Sequence, residues 1–397
     1  MNKYYFSSES VTEGHPKKMC DQISDAIVDE VLKKDPTGRV LCETAISPGL
    51  VVVMGEISSK CKIDISSIIR MVIKDNGYTK PEYGFDYQTC SLVTSIRRNA
   101  ENIVLEGKGL EECEKRGAGR EVKFQVGYQG MIFGYACNET AQLIPITVFL
   151  AHKLENKLTF LRKSGILSYL RPAGKVQVAV QFENGIPKRI ESIVVDIQHD
   201  MAVSTDQIEK DIKEQAIDPV LPKEMTDENT KIYINPVGEF VYKGFQGDFG
   251  LNNRERNNGI YVDLSHGSGY GKDPMNVERS ASYAARYAAK NIVAAGLANK
   301  CEIQLTYLMG LSRPASIMVN TFGTGKYADE ILSRAVEEIF DFRPAVIIEK
   351  LKLYRPMYRT LAKYGCMGRE DLQVQWEKTD KANELLEWIQ INNFMYK

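Results

Sequence analysis

Apolar positions along this chain fall into three stretches with one rhythm. Arg39–Ile57, Lys175–Gln198 and Cys301–Phe322 each read as an extended apolar run, a turn and a second extended run, with turns at Ser47-Pro48-Gly49, at Asn184-Gly185 and near Arg313-Pro314. Extended runs flanking Gly, Pro or Asn predict antiparallel hairpins. Behind each hairpin, Ile63–Lys74, Thr205–Ile217 and Ala328–Phe340 place apolar residues three and four apart, the spacing of one helix face. Two further helices stand out. Cys20–Lys34 sets Ile23, Ile27 and Val31 on one side and starts just after Gly14-His15-Pro16, so its amino end faces whatever that loop holds. Arg279–Ala295 is packed with alanine and closed by Gly296, which suits close contact with a sheet.

Strand pair then helix, three times at nearly even spacing, predicts an α/β (α+β) fold of three related modules. Coincidence is the alternative, since the unit is common in α/β proteins; the even spacing favours repetition. The expected division is an N-terminal domain over 1–105, a charged, Gly-rich loop or lid over 106–123, a central domain over 124–234 and a C-terminal domain over 235–397. At 397 residues, 43% of them hydrophobic and 26% charged, the chain reads as a globular protein too long for a single core. Its net charge of -1 argues against a general attraction to nucleic acid or membrane, so an anionic ligand needs a local basic cluster. No apolar run approaches the ~20 residues needed to span a bilayer. The opening MNKYYFSSESVTEGHP lacks the pattern of a secretory signal, which makes the cytoplasm the expected address. Eight cysteines without metal-ligand spacing read as reduced, mostly buried thiols.

Three polar clusters carry candidate chemistry. Ser8–Pro16 gathers polar groups around His15 ahead of a helix, where an imidazole and a helix amino end suit a phosphate oxygen; an exposed capping loop is an equal reading of this segment alone. Gly127–Thr140 mixes glycines with small and aromatic residues, as backbone held against a ligand does, and tight domain packing explains it nearly as well. Phe245–Leu251, followed by Arg254-Glu255-Arg256 and His266–Pro274, has the composition of a polyphosphate cradle without the order of a Walker loop.

Taken in sequence order, SESVTEGHP, CDQISDAIVDEVL, MGEI, QGMIFGYACNET, LRPAGKVQV, INPVGEFV, GDFGL, GKDP, RSASYAARYAAKNIVAAGLA, FGT, DFRP, YGCMGRE and WEKTDKA run from Phe6 to Ala382. In that order they resemble the signature segments of the S-adenosylmethionine synthetase (methionine adenosyltransferase) family. The resemblance implies three similar α/β domains about a pseudo-threefold axis, and a homodimer or dimer of dimers with active sites shared between subunits. It implies transfer of the adenosyl group of ATP to methionine sulfur, with the triphosphate then cleaved to phosphate and diphosphate, assisted by magnesium and potassium. Such chemistry is positioning plus neutralisation of a leaving group of about four negative charges. By position, His15 is implied to stabilise the departing triphosphate, Lys175 and Lys272 to bind its oxygens with Arg254, and Asp248 to sit near adenosine or methionine. Gln129 and Asp273 fall in the same ligand-binding segments, Glu43 matches the monovalent-cation ligand and Glu56 a carboxylate at the amino-acid end of the site.

Several positions depart from the family pattern. Lys17 stands where a magnesium-binding aspartate follows the His-Pro pair, and a lysine cannot ligate a divalent ion, so one magnesium rather than two is expected, with the ammonium supplying part of the missing charge. The second metal-binding aspartate matches Glu278, and a phosphate-binding lysine matches Asn276. Tyr128 replaces an aspartate that recognises the substrate amino acid, and Asn99 falls at or next to a methionine-pocket glutamine. These changes open two alternatives to a methionine adenosyltransferase: a paralogue acting on another small acceptor, and a catalytically silent nucleotide-binding partner of an active enzyme.

Overall fold

The computed structural model describes residues 2–98, 127–238, 250–251 and 269–392. The strands of the three expected hairpins form where the hydrophobic alternation puts them. In the first hairpin, β2 (Arg39–Ser47) and β3 (Leu50–Ser58) pair antiparallel from Arg39↔Ser58 to Ser47↔Leu50, and Val40, Cys42 and Ile46 turn inward. The second hairpin joins β6 (Leu170–Glu183) to β7 (Ile186–His199) through Asn184 and Gly185, with φ of 51° and 80°, the left-handed pair that a tight hairpin turn requires. The third pairs β10 (Lys300–Tyr307) with β11 (Ser316–Asn320).

Each expected helix is present. They are α1 (Pro16–Lys34), α2 (Ile65–Asp75), α4 (Thr205–Ile212, running on into a π-helical turn to Ile217), α5 (Val277–Ala294) and α6 (Asp329–Ile339). Four more lie among the described residues: α3 (Ile146–Lys163), α7 (Pro344–Lys350), α8 (Tyr358–Tyr364) and α9 (Ala382–Asn392).

The sheets do not follow contiguous segments of chain. β1 (Lys3–Val11), just ahead of α1, leaves its own module and pairs antiparallel with β6, so that Val11 faces Lys175. β5 (Gly130–Cys137), ahead of α3, pairs with β10 of the third module. β9 (Gly250–Leu251), which precedes α5, pairs with β2 of the first. Every hairpin thus receives a strand from another module on the edge left open by its first strand, which removes a row of unpaired amides. The first sheet has the order β4-β3-β2-β9, with β4 (Ser91–Arg98) parallel to β3; the second is β1-β6-β7-β8, with β8 (Lys231–Ile234) parallel to β7; the third is β11-β10-β5. The sheets therefore draw on chain from both sides of the boundaries expected at 105 and 124–234, and the expected lid over 106–123 lies outside the described residues.

Packing joins the modules unequally. One core combines the first and third, from Met19, Ile23, Ile27 and Val31 of α1 to Ala281, Ala285, Ala288 and Trp376, whereas the second has its own around Leu154, Leu158, Val178, Ile193 and Ile208. The alanines of α5 allow a very close approach to β5: a Cβ on Gly134 would lie 2.2 Å from the Ala285 carbonyl carbon.

Beyond the end of α1, Asp35 accepts from Thr37 N and Oγ1 and, across to the end of β3, from Ser59 Oγ (2.9 Å) and Lys60 N (3.0 Å). Donation by Lys60 N, with the hydroxyls behind it, holds its carboxyl down at about 2. A depressed carboxyl stabilises the fold above its unfolded value and loses that contribution as pH falls through the folded one. The urea-midpoint gap between the protein and Asp35→Asn is therefore full above pH ~4 and closes as pH falls toward 2. A gap independent of pH contradicts this reading of the α1 terminus.

Candidate functional site

The loop from β1 into α1 is held from several sides. Thr12 N donates to Gly174 O (2.9 Å) and Thr12 Oγ1 to Pro172 O (2.7 Å), His15 N closes a turn on Thr12 O, and the Tyr78 hydroxyl donates to Gly14 O (2.6 Å). Burial pushes the Tyr78 hydroxyl up, so it stays a neutral donor. Glu13 is 2% exposed and its carboxylate meets Arg162 at 3.3 Å, Lys163, and Lys363 at 3.4 Å, from α3 and α8.

His15 thus enters α1 from a fixed approach. Half-buried, it caps the helix, with Nδ1 accepting from Lys17 N at 3.3 Å. A neutral imidazole that accepts at Nδ1 carries its proton on Nε2, which makes Nε2–H the donor for an anionic oxygen.

Lys175 sits opposite Val11, at the end of β1 that leads into this loop, and its ammonium lies 2.5 Å from Glu9. Lys272 arrives from the third module. Cys42 N donates to Gly271 O (2.8 Å) and Leu41 bridges to Lys272, which extends the β2 edge that β9 occupies further along. Gly271 has a φ of 79°, and a Cβ there would lie 2.0 Å from Cys42 O, so this close approach needs glycine. Asp25 of α1 fixes the segment by accepting from Gly271 N (2.8 Å) and Arg279 Nη2 (2.6 Å). The first turn of α1 meets it too: Lys18 Nζ lies 5.8 Å from the Tyr270 ring centre, and a Cβ on Gly250 of β9 would lie 2.4 Å from Pro16 O. Residues of all three modules therefore converge around the amino end of α1.

Other expected site residues are placed differently. Asp273, expected at the ligand, is 2% exposed with its oxygens engaged by Val40 N (2.8 Å), Met275 N (2.9 Å) and Arg39 Nε (3.2 Å); it ties the segment to β2. Glu278 is in contact with the Lys272 ammonium, so each already satisfies the other. Asn276 caps α5 by accepting from Glu278 N (3.0 Å). Glu43 is exposed on β2, and Glu56 of β3 bonds Arg97 of β4 at 2.9 Å. Tyr128 is half-buried against the shared core and Gln129 is exposed, just ahead of β5. Asp248, Arg254 and Asn99 lie outside the described residues. Reading the sequence missed Glu13, Lys18 and Asp25; only the doublet Lys17-Lys18 at a helix start was a visible signal.

A magnesium ion needs oxygen ligands in near-octahedral array. The first turn of α1 carries no acidic residue, no group of three or more His, Cys, Asp or Glu gathers among the described residues, and the Glu278 carboxylate is taken up by Lys272. The donor set described around α1 does not fit a resident divalent ion.

Replacing Gly14 by alanine would set a Cβ 2.4 Å from Pro172 Cβ and 2.6 Å from its carbonyl oxygen. Gly14→Ala is expected to lower unfolding free energy in urea by about 1–3 kcal/mol, as overpacking of a tight site does; an unchanged midpoint contradicts the clamped loop.

Sequence-family comparison matches residues 3–101 to the N-terminal domain of S-adenosylmethionine synthetase, 123–240 to its central domain and 242–378 to its C-terminal domain. With all three domains present in order, the chain belongs to the S-adenosylmethionine synthetase family and has its three-domain α/β architecture.

Proposed function

We propose that this chain transfers the adenosyl group of ATP to the sulfur of methionine. A sulfur lone pair attacks ribose C5′, the bond from C5′ to the triphosphate oxygen breaks in line, and S-adenosylmethionine and triphosphate result. Water then splits the triphosphate into phosphate and diphosphate. The barrier is lowered by alignment and by stabilising charge that builds on the leaving oxygens, the role of donors fixed before reaction.

Family membership across all three domains supports this reading, together with one observation that carries it: the clamped loop holds His15 at the amino end of α1 beside the end of β6 that bears Lys175, and the segment bearing Lys272 is fixed to the same helix at Asp25. His15 would donate to the departing oxygen while Lys175 and Lys272 hold the outer phosphates, Lys272 exchanging Glu278 for phosphate. Asp248, Arg254 and Asn99 would complete the nucleotide and acceptor pockets. A homodimer or dimer of dimers sharing its sites is part of the same reading, and the exposed Leu41, Met54 and Val93 on the first sheet suit a face-to-face contact. Potassium near Glu43 belongs to it as well.

Incubation with ATP and methionine is expected to yield S-adenosylmethionine, phosphate and diphosphate in equal amounts, and His15→Ala to lower kcat by about 100-fold or more while circular dichroism is unchanged. Folded protein that forms no adenosylated product with methionine contradicts the reading.

The Glu56–Arg97 ion pair favours a second reading, an adenosyltransferase for a different small acceptor. A guanidinium beside Glu56 repels a substrate ammonium at the amino-acid end of the site, and Tyr128 brings no compensating charge. On this reading, mass spectrometry of ATP incubated with a metabolite extract shows a new adenosylated product larger than that from methionine; turnover of methionine alone dismisses it.

A further inference from the structure

Away from the amino end of α1, the third module holds a cavity of about 240 Å³ between α5, the end of α6 and α7. Its wall is apolar: Ala284, Phe340, Phe342, Ile347 and Leu351 are each 7% exposed or less. Aromatic rings are ordered around it. Phe340 and Phe342 lie nearly parallel, 20° apart with ring centres at 6.1 Å, and Tyr287 of α5 meets Phe340 edge-on at 5.4 Å. The Tyr307 hydroxyl fixes Phe342 by donating to its carbonyl at 2.7 Å. A cavity of about 150 Å³ already accommodates a single benzene ring, so this one has room for one or two fused rings with a short polar arm.

Lys350, Lys378 and Lys381 line the same cavity with Asp341 and Asp380. Three of these charges are already engaged. Arg343 donates to both Asp341 oxygens at 2.6 to 3.0 Å, the Tyr287 hydroxyl donates to Asp380 at 2.5 Å, and Lys381 pairs with Glu384. Lys350 and Lys378 are exposed and form no ion pair among the described residues; Lys350 attracts the Asp341 carboxylate without bonding to it. The segment that carries Lys378 and Lys381 is pinned. Asn291 of α5, sealed from water, donates to Lys378 O at 3.0 Å and accepts from Lys381 N at 2.8 Å. Just ahead, Arg286 and Lys290 of α5 hold Glu377 at 3.0 and 2.8 Å. The mouth is thus in place before a ligand arrives, which spares the cost of ordering it on binding.

We propose that this cavity binds a planar aromatic carboxylate, its ring against Phe340 and Phe342 and its acid group met by Lys350 and Lys378. A flat ring buries apolar surface there and meets the aromatic wall stacked or edge-on. Ammonium groups at the rim supply charge-assisted hydrogen bonds to a carboxylate. Asp341 and Asp380 beside them select against a polyphosphate, whose added charge they repel. The cavity is separate from the cluster at α1, since Ala284 and Tyr287 lie about 9–14 Å further along α5 than Glu278, at ~1.5 Å per residue.

The test is isothermal calorimetry of the full chain with 2-naphthoate, with uncharged 2-naphthamide and with hexanoate, in the presence and absence of a non-hydrolysable ATP analogue. 2-Naphthoate is expected to bind with a dissociation constant of about 10–100 μM, and 2-naphthamide and hexanoate at least about tenfold more weakly. The nucleotide analogue is expected to leave the naphthoate affinity within about twofold. Lys378→Gln, at an exposed position, weakens naphthoate by about fivefold or more and leaves naphthamide unchanged. Ala284→Leu fills the cavity from α5 and abolishes naphthoate binding, its melting curve beside that of the parent verifying the fold.

Absence of saturable naphthoate binding, equal affinity for naphthamide or hexanoate, or an unchanged affinity in Lys378→Gln overturns the proposal. Displacement of naphthoate by the nucleotide analogue overturns it too, because the acid then occupies the nucleotide's own site.

Discussion

A carboxylate sealed from water ties the first and third modules of this molecule together. Asp25 lies within α1 at zero exposure and accepts from Gly271 N and from the Arg279 guanidinium, itself 1% exposed. A charge in that environment is tolerable only when paired and hydrogen-bonded, and removing one partner of such a pair typically costs about 3–5 kcal/mol. Burial pushes the Asp25 carboxyl up while Arg279 and the Gly271 amide pull it back. The pairing therefore adds to the shared core a fixed point between α1 and α5. Arg279 also donates to Lys272 O at 2.6 Å and lies over the Tyr358 ring, so the contact that satisfies Asp25 places Lys272 beside β2. One turn along, Asp29 accepts from the amides of Met357, Tyr358 and Arg359 and seats the amino end of α8 on the same helix.

Strand exchange does for the sheets what Asp25 does for the helices. Because β1, β5 and β9 each leave their own module, no module completes its sheet from its own chain, and the loop that carries His15 is positioned by backbone of the second module at Pro172 and Gly174. The site is thus a property of the junction. Glu13 belongs to the same logic: three cations from α3 and α8 meet its buried carboxylate, which fixes the loop one residue from Gly14 and two from His15. Rigid support of this kind lets a donor be in place before charge develops on a leaving group.

The hairpins and their following helices were legible because period-two and period-3.6 patterns are local, and Asn184-Gly185 announces its own turn geometry. The exchanged strands were not. KYYFSSESV of β1 shows its alternation faintly, and nothing in nine residues says which of three similar sheets will accept them. The loop around His15 and the glycine-rich, cationic stretch that contains Lys272 stood out from composition alone, whereas the phosphate roles of Lys175 and Lys272 came only from the family resemblance. The engagement of Asp273 with Val40, Met275 and Arg39, and that of Glu278 with Lys272, depends on partners that no spacing rule reveals. Lys18 was hidden for the opposite reason. A lysine in a helix reads as a solvated surface residue, and its burial appears only once α1 is packed against the segment at Tyr270.

The central claim is that one polyphosphate meets donors brought together from separate modules. A crystal structure of the protein with a non-hydrolysable ATP analogue measures it directly. The account predicts phosphate oxygens within hydrogen-bonding distance, about 3 Å, of His15 Nε2 and of the Lys175 and Lys272 ammonium groups in the assembled oligomer, with Glu278 released from Lys272. A nucleotide bound elsewhere, or these three side chains turned to bulk solvent while it is bound, contradicts the account.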